Sequence, residues 1–243
     1  MKILFISLGC DKNLVDTEVM LGLLASKGYE MTDDEQEADI IVINTCCFIH
    51  DAKEESIQNI LEMAELKKEG KVKALIVTGC MAERYKDEIL EEIPEVDEVL
   101  GTTAYDKILD AVDAALEGNQ EVILSDIDAL PLPETKRLVT TGGHFAYLKI
   151  AEGCDKHCTY CIIPKVRGNY RSVPMERLVN EARELAERGG KRADPCGTGD
   201  DAVWKGSLWK KSHCISWSKN CVISAESDGS VFYTVIRKRL QMN

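Results

Sequence analysis

The chain has 243 residues, 44% of them hydrophobic, enough for one large domain or two ordinary ones with a real core. Its 42 acidic against 30 basic residues give a net charge of −12, which argues against a non-specific grip on nucleic-acid phosphate. No apolar run approaches the roughly 20 residues of a membrane span, and Lys2–Gly9 is too short and too soon followed by charge for a signal peptide, so a cytoplasmic protein is expected.

Ile3–Ser7, Ile40–Ile43 and Ala74–Val77 are strand-length apolar runs rich in Ile and Val, the composition of strands buried on both faces. Between them Thr17–Lys27 and Glu54–Lys68 carry apolar residues at helical spacing, with Asp51 placed to cap the second helix and Gly70 to end it. Val96–Leu100 and Val122–Leu124 are further strands around a helix at Tyr105–Leu116. This alternation predicts an α/β domain over residues 1–125 with a parallel sheet and right-handed crossovers. Residues 126–144, with Pro131, Pro133 and Gly142-Gly143, read as a linker. A second unit opens with a strand at Phe145–Ile150 and continues through a cysteine-rich loop into an amphipathic helix, Met175–Arg188, ended by Gly189-Gly190.

Ten cysteines in an intracellular chain suit metal or redox chemistry better than a disulfide frame. The first three strands run into Leu8-Gly9-Cys10, Asn44-Thr45-Cys46-Cys47 and Thr78-Gly79-Cys80. In a parallel sheet the strand carboxyl ends share one edge, so three thiols from separate strands can converge there on a metal or cluster. Taken singly, each reads more readily as a small buried hydrophobe, and it is three at equivalent positions that favour a metal or cluster; physics alone does not choose between Cys46 and Cys47. Cys154, Cys158 and Cys161 form C-x3-C-x2-C directly after a strand. Three thiolates on one loop can hold three irons of a [4Fe–4S] cube and leave the fourth open to a ligand. A zinc knuckle, with His157 as the fourth ligand, is the rival. His50, His144 and His213 make no metal or triad pattern with one another.

C-x3-C-x-aromatic-C after a first strand resembles the signature of the radical S-adenosylmethionine enzymes. The resemblance implies that the open iron chelates the methionyl group of S-adenosylmethionine, that reduction yields a 5′-deoxyadenosyl radical, and that Tyr160 lies beside the adenine. A three-cysteine α/β domain ahead of this motif is similar to the arrangement of the methylthiotransferases. Ser7–Asp16, Asn44–Ile49 and Ala52–Ile57 resemble the RimO branch, which modifies an aspartate of small-subunit ribosomal protein uS12. The family's middle motif is usually Asn-Thr-Cys-Gly-Phe, so the ligand role passes to Cys46, and Cys47 stands where glycine is common.

The resemblance thus implies two [4Fe–4S] clusters: an auxiliary one on Cys10, Cys46 and Cys80, and a radical-generating one on Cys154, Cys158 and Cys161. It also implies uS12 as partner, an electron donor such as flavodoxin or ferredoxin, and the start of a TIM-like (β/α) barrel over residues 145–191. Arg167-Gly168 and Arg171 match the family without an assigned role. A tRNA methylthiotransferase shares all six ligands and is the nearest alternative; a non-catalytic iron–sulfur-binding fragment is another. Residues 1–191 carry a charge of −15, which suits a basic ribosomal protein better than tRNA, although a solvated acidic surface explains it equally well.

After Gly190 the resemblance ends. Residues 192–243 carry +3, hold all three Trp, and open with Arg192-Ala193-Asp194-Pro195-Cys196, which does not read as a strand. Back-translated and read from the second base, residues 192–206 can give Glu-Leu-Ile-Leu-Val-Ala-Gln-Glu-Thr-Thr-Leu-Tyr-Gly-Lys, which is family-like. Residues 192–243 are therefore expected to be an aberrant, out-of-frame tail. The strand at Phe145–Ile150 is expected to lack a neighbour, the barrel to be incomplete, and this chain's own activity to be compromised.

Overall fold

The structure is a computed structural model that describes residues 1–130, 137–142, 145–188, 192–197, 221–225 and 231–235. Part of the expected linker, the helix-ending Gly189-Gly190, His144, His213 and the three Trp of the tail lie outside the described residues. The chain divides into two compact units, one of residues 1–138 with 159–168, the other of 139–158 with 169–243.

The first unit is built on six parallel strands: β1 (Lys2–Ser7), β2 (Glu30–Thr32), β3 (Ile40–Thr45), β4 (Ala74–Gly79), β5 (Glu98–Leu100) and β6 (Glu121–Ile123), in the order β2-β1-β3-β4-β5-β6. Its helices are α1 (Asp11–Ser26), α2 (His50–Lys68), α3 (Cys80–Glu92), α4 (Ile108–Leu116) and the short α5 (Ile163–Arg167). Every residue of β3 and β4 is buried. Because strand side chains alternate between faces, Ile40, Val42, Ala74 and Ile76 meet Met20, Leu23 and Leu24 of α1 and Ile108 and Val112 of α4. Ile41, Ile43, Leu75 and Val77 meet Ile60 and Met63 of α2 and Met81 and Ile89 of α3. Two hydrophobic layers, one per face, explain why these strands read as unbroken apolar runs.

Two local readings shift. Helix α1 begins at Asp11 rather than Thr17, because the polar Asn13 and Asp16 are buried within it beside Val15. Asp51 does not cap α2: the N-cap is Ile49, and Asp51 lies in the first turn, where the helix dipole still favours its charge.

In the second unit β7 (Phe145–Lys149) is followed by β8 (Ala151–Glu152), β9 (Arg171–Ser172), α6 (Met175–Glu187) and β10 (Arg192–Cys196). Leu178, Ala182 and Leu185 of α6 are buried at spacings of four and three, one face of the helix. Residues 192–196, read as no strand, pair in parallel with β7 in register Arg192 to Phe145 through Cys196 to Lys149. The strand at 145–149 therefore has a neighbour, and β7–α6–β10 is a complete βαβ unit, the start of a barrel. The reason is that pairing uses main-chain groups. Pro195 keeps its carbonyl, and Ala193 and Cys196 are small enough to be buried. Strands β11 (Cys221–Ala225) and β12 (Val231–Val235) continue this sheet antiparallel, in the order β12-β11-β10-β7. Among the described residues no helix is long and apolar enough to cross a membrane.

Glu98 of β5 is fully buried, and neither carboxylate oxygen has a hydrogen-bond partner among the described residues. Burial, with smaller contributions from the charges of Glu121 and Asp97, pushes its carboxyl from 4.5 up to about 7. The folded chain thus holds a proton that the unfolded chain releases nearer 4.5, so stability is lost as pH rises through this window. Glu98→Gln is expected to raise the thermal midpoint, by more at pH 8 than at pH 5; an equal effect at both pH values would contradict the assignment.

Candidate metal centre

Cys10, Cys46 and Cys80 follow β1, β3 and β4 at the carboxyl edge of the first sheet. Cys10 is the extended N-cap of α1, and its carbonyl accepts the first helical bond from Leu14 N at 3.1 Å. Cys80 opens α3. All three line one cavity of about 880 Å³, together with Leu8, Phe48, Ile49 and Arg167. Two glycines make the approach possible. Gly9 has φ +92°, and a Cβ there would stand 2.6 Å from Cys46 Cβ and 2.9 Å from its Sγ. Gly79 has φ +94°, and a Cβ there would stand 2.5 Å from the Thr45 carbonyl oxygen.

The scaffold around the thiols is polar and fully buried. Asn13 Nδ2 donates to the carbonyls of Leu8 and Thr45, both at 2.9 Å. Two acceptors on one side fix the amide's orientation, so Oδ1 faces the thiols. That oxygen accepts from Cys80 Sγ at 3.8 Å, from Cys10 Sγ at 4.0 Å and from Arg167 Nη2 at 2.5 Å. Asn44 Nδ2 donates to Asn13 O at 2.9 Å and to Thr17 Oγ1 at 3.0 Å. The Cys46 N–H donates to Ser56 Oγ at 3.0 Å, which ties the second loop to α2.

Cys47 stands apart: its Sγ donates to the Cys80 carbonyl at 3.2 Å, it does not line the cavity, and burial pushes its thiol pKa up. Burial pushes the Cys80 thiol up to about 12, against the lowering pull of the Arg167 charge and hydrogen bond. A thiol held so far from ionisation in the metal-free protein is one that a bound metal would have to deprotonate.

The second cysteine motif is divided between the units, with Cys154 and Cys158 in one and Cys161 in the other. Cys158 is exposed, Cys154 and Cys161 are half-buried, and Tyr160 is 90% exposed. The turn holding Cys154 and Cys158 is pinned by Asp155, whose Oδ1 accepts from Tyr170 N at 2.7 Å, and by His157, 3.1 Å from Asn169 Oδ1. His157 adopts φ +42° there.

Among the described residues, the set of three ligand-type side chains with their ligand atoms all within 4.8 Å is His50, Asp51 and Glu54, exposed at the start of α2. The cysteines are more widely spaced than ligands of one ion. Ligands of a cubane bind different irons, and the cavity between Cys10, Cys46 and Cys80 leaves room for one.

Asn13, Asp16 and Ser56, the polar neighbours of the thiols, lie within the motifs that carry the resemblance, but nothing in the sequence assigns them a role. A buried polar side chain has no periodic or spacing signal, and only its tertiary partners reveal it.

Residues 2–101 match the model of the uncharacterized protein family UPF0004, and residues 148–207 match that of the radical SAM superfamily. Among curated proteins, the chain is 68% identical over 191 residues to the ribosomal protein uS12 methylthiotransferase RimO of Lachnoclostridium phytofermentans, and 51% identical over 191 residues to that of Clostridioides difficile. Each alignment covers 79% of this chain and 43% of the relative, so the chain spans less than half the length of these proteins. The RimO of Natranaerobius thermophilus is 47% identical over 213 residues, covering 86% of this chain and 48% of the relative. Among solved structures, the radical S-adenosylmethionine methyltransferase TsrM from Kitasatospora setae superposes with a TM-score of 0.54 at 12% identity, covering 82% of this chain and 48% of that one, a likeness of fold. The chain thus carries a UPF0004 segment followed by a radical SAM segment, and over 191 residues it is similar to proteins named RimO.

Proposed function

We propose that the chain carries the cluster-binding half of a methylthiotransferase that converts a C–H on the β-carbon of an aspartate in ribosomal protein uS12 into C–S–CH3. The observation that carries this reading is the convergence of Cys10, Cys46 and Cys80 on one cavity, in a chain that also holds the C-x3-C-x2-C motif. In this reading Cys10, Cys46 and Cys80 hold an auxiliary [4Fe–4S] cluster and Cys154, Cys158 and Cys161 a second. When bound, the clusters and S-adenosylmethionine supply the radical, sulfur and methyl-transfer chemistry, fed by a one-electron donor of the flavodoxin or ferredoxin kind.

The chain's own residues supply placement. Gly9 and Gly79 let three loops approach; the Asn13 amide clamps the first two loops and contacts the thiols of Cys10 and Cys80. Phe48 and Ile49, more than half exposed at the cavity's rim, present an apolar edge beside the thiols. Tyr160 stands where the family places an aromatic residue beside the adenine.

A second reading is an iron–sulfur-binding fragment without turnover. It is favoured by the single βαβ unit among the described residues of the radical domain, since enclosing a cofactor takes several. The out-of-frame reading of residues 192–243 supports it; residues 228–243, read from the third base of the Asp228 codon, can likewise give a family-like string, so two extra adenines would suffice, one in an adenine run near Lys191 and one near Lys210-Lys211. Sequencing the coding DNA and finding neither would contradict that reading.

Anaerobic reconstitution of the full chain is expected to load about eight irons on the two-cubane expectation, falling to about four when Cys154, Cys158 and Cys161 are all replaced by Ala. Formation of 5′-deoxyadenosine after reduction separates a working radical site from a silent fragment. Cys46→Ala is expected to lose the auxiliary iron, whereas Cys47→Ala keeps it; the reverse result would reassign the ligand. With a full-length, in-frame homologue, labelled uS12 is expected to accept the methylthio group and tRNA is not.

A further inference from the structure

Arg167 lies at the end of α5, within the segment matched by the radical SAM model, yet it is packed into the first unit and is only 3% exposed. Its backbone is anchored next door, where Thr102 Oγ1 donates to the Val166 carbonyl at 2.6 Å. Its guanidinium lines the cavity with the three cysteines, and Nη2 donates to Asn13 Oδ1 at 2.5 Å and to Asp16 Oδ2 at 3.1 Å. Asp16 is 4% exposed and lies outside the cavity lining, behind the guanidinium. The other cation lining the cavity, Lys12, pairs with its neighbour Asp11 at 3.4 Å.

A guanidinium cannot shed its charge, and burying one is costly unless an anion meets it. Asp16 meets it at Nη2. The guanidinium also lines the cavity with thiols that, once they ligate iron, would be thiolates around a cluster whose net charge becomes more negative on reduction. In a buried cavity, where water screens little, a fixed cation stabilises the reduced form over the oxidised one.

We propose that Arg167 is a positioning residue for the auxiliary cluster: a fixed, buried cation, aimed by Asn13 and Asp16, that raises the cluster's midpoint potential. This rests on the reading that Cys10, Cys46 and Cys80 hold that cluster. A merely structural role, tying α5 to α1, would leave the potential alone, so potential is the quantity to measure.

The test uses the full chain with Cys154, Cys158 and Cys161 replaced by Ala, so that the auxiliary cluster is the redox centre observed. The midpoint is followed by spectroelectrochemistry, with the reduced state checked by electron paramagnetic resonance. Arg167→Gln is expected to lower the midpoint and Asp16→Asn to raise it, with Arg167→Lys close to the parent. Opposite signs from the two members of one ion pair are the mark of charge, because loss of packing moves both the same way. If Arg167→Gln retains no iron, the other two variants decide: a raised midpoint in Asp16→Asn with a near-parental Arg167→Lys supports the proposal, and an unmoved Asp16→Asn overturns it. Shifts of one sign, or none, in iron-loaded variants overturn it while leaving the ligand assignment standing. A parent chain that binds no cluster overturns both.

Discussion

One side-chain amide holds the site together. Asn13 has no exposure to solvent, and its amide donates to two main-chain carbonyls, those of Leu8 and Thr45. Removing it would take a donor from both, at roughly 1–3 kcal/mol for each acceptor left without a partner. The loss would also reach beyond stability, because the same amide fixes the spacing of the loops after β1 and β3 and presents its oxygen to the thiols of Cys10 and Cys80 and to Arg167. The cavity depends on this clamp in the way a metal site depends on the groups behind its ligands.

The clamp works because it is mounted on a rigid frame. β3 and β4 are buried along their whole length, with one hydrophobic layer on each face, so their carboxyl ends cannot drift independently. Helix α1 starts directly after Cys10 and α3 at Cys80, and the glycines before those cysteines turn the chain at positive φ. The sheet edge therefore delivers three thiols to one cavity with little backbone freedom between the strand and the sulfur.

Charge is arranged just as deliberately around the cavity. The buried pair of Arg167 and Asp16 is nearly neutral by itself, but it is asymmetric: the cation faces the thiols and the anion lies behind. Glu98, by contrast, is a buried carboxyl in β5 whose oxygens find no partner among the described residues and whose protonated form burial favours.

The sequence by itself determined β1, β3, β4, β5 and β6 and the helices α1, α2 and α4, because burial on both faces demands unbroken apolar runs and period reveals the helices between them, whereas the short, half-exposed β2 and the charge-rich α3 went unread. It also placed a cysteine at the end of each of three strands, since parallel strands must share one carboxyl edge. Tertiary structure decided what local pattern cannot carry. Of the adjacent pair Cys46 and Cys47, only Cys46 lines the cavity, a matter of which way each loop residue points. Asn13 and Asp16 look like surface residues of a helix start until α5 and the loop after β3 close over them. Residues 192–196 have no strand signature, yet form β10 because α6 returns the chain beside β7 and main-chain hydrogen bonds accept any residue that fits.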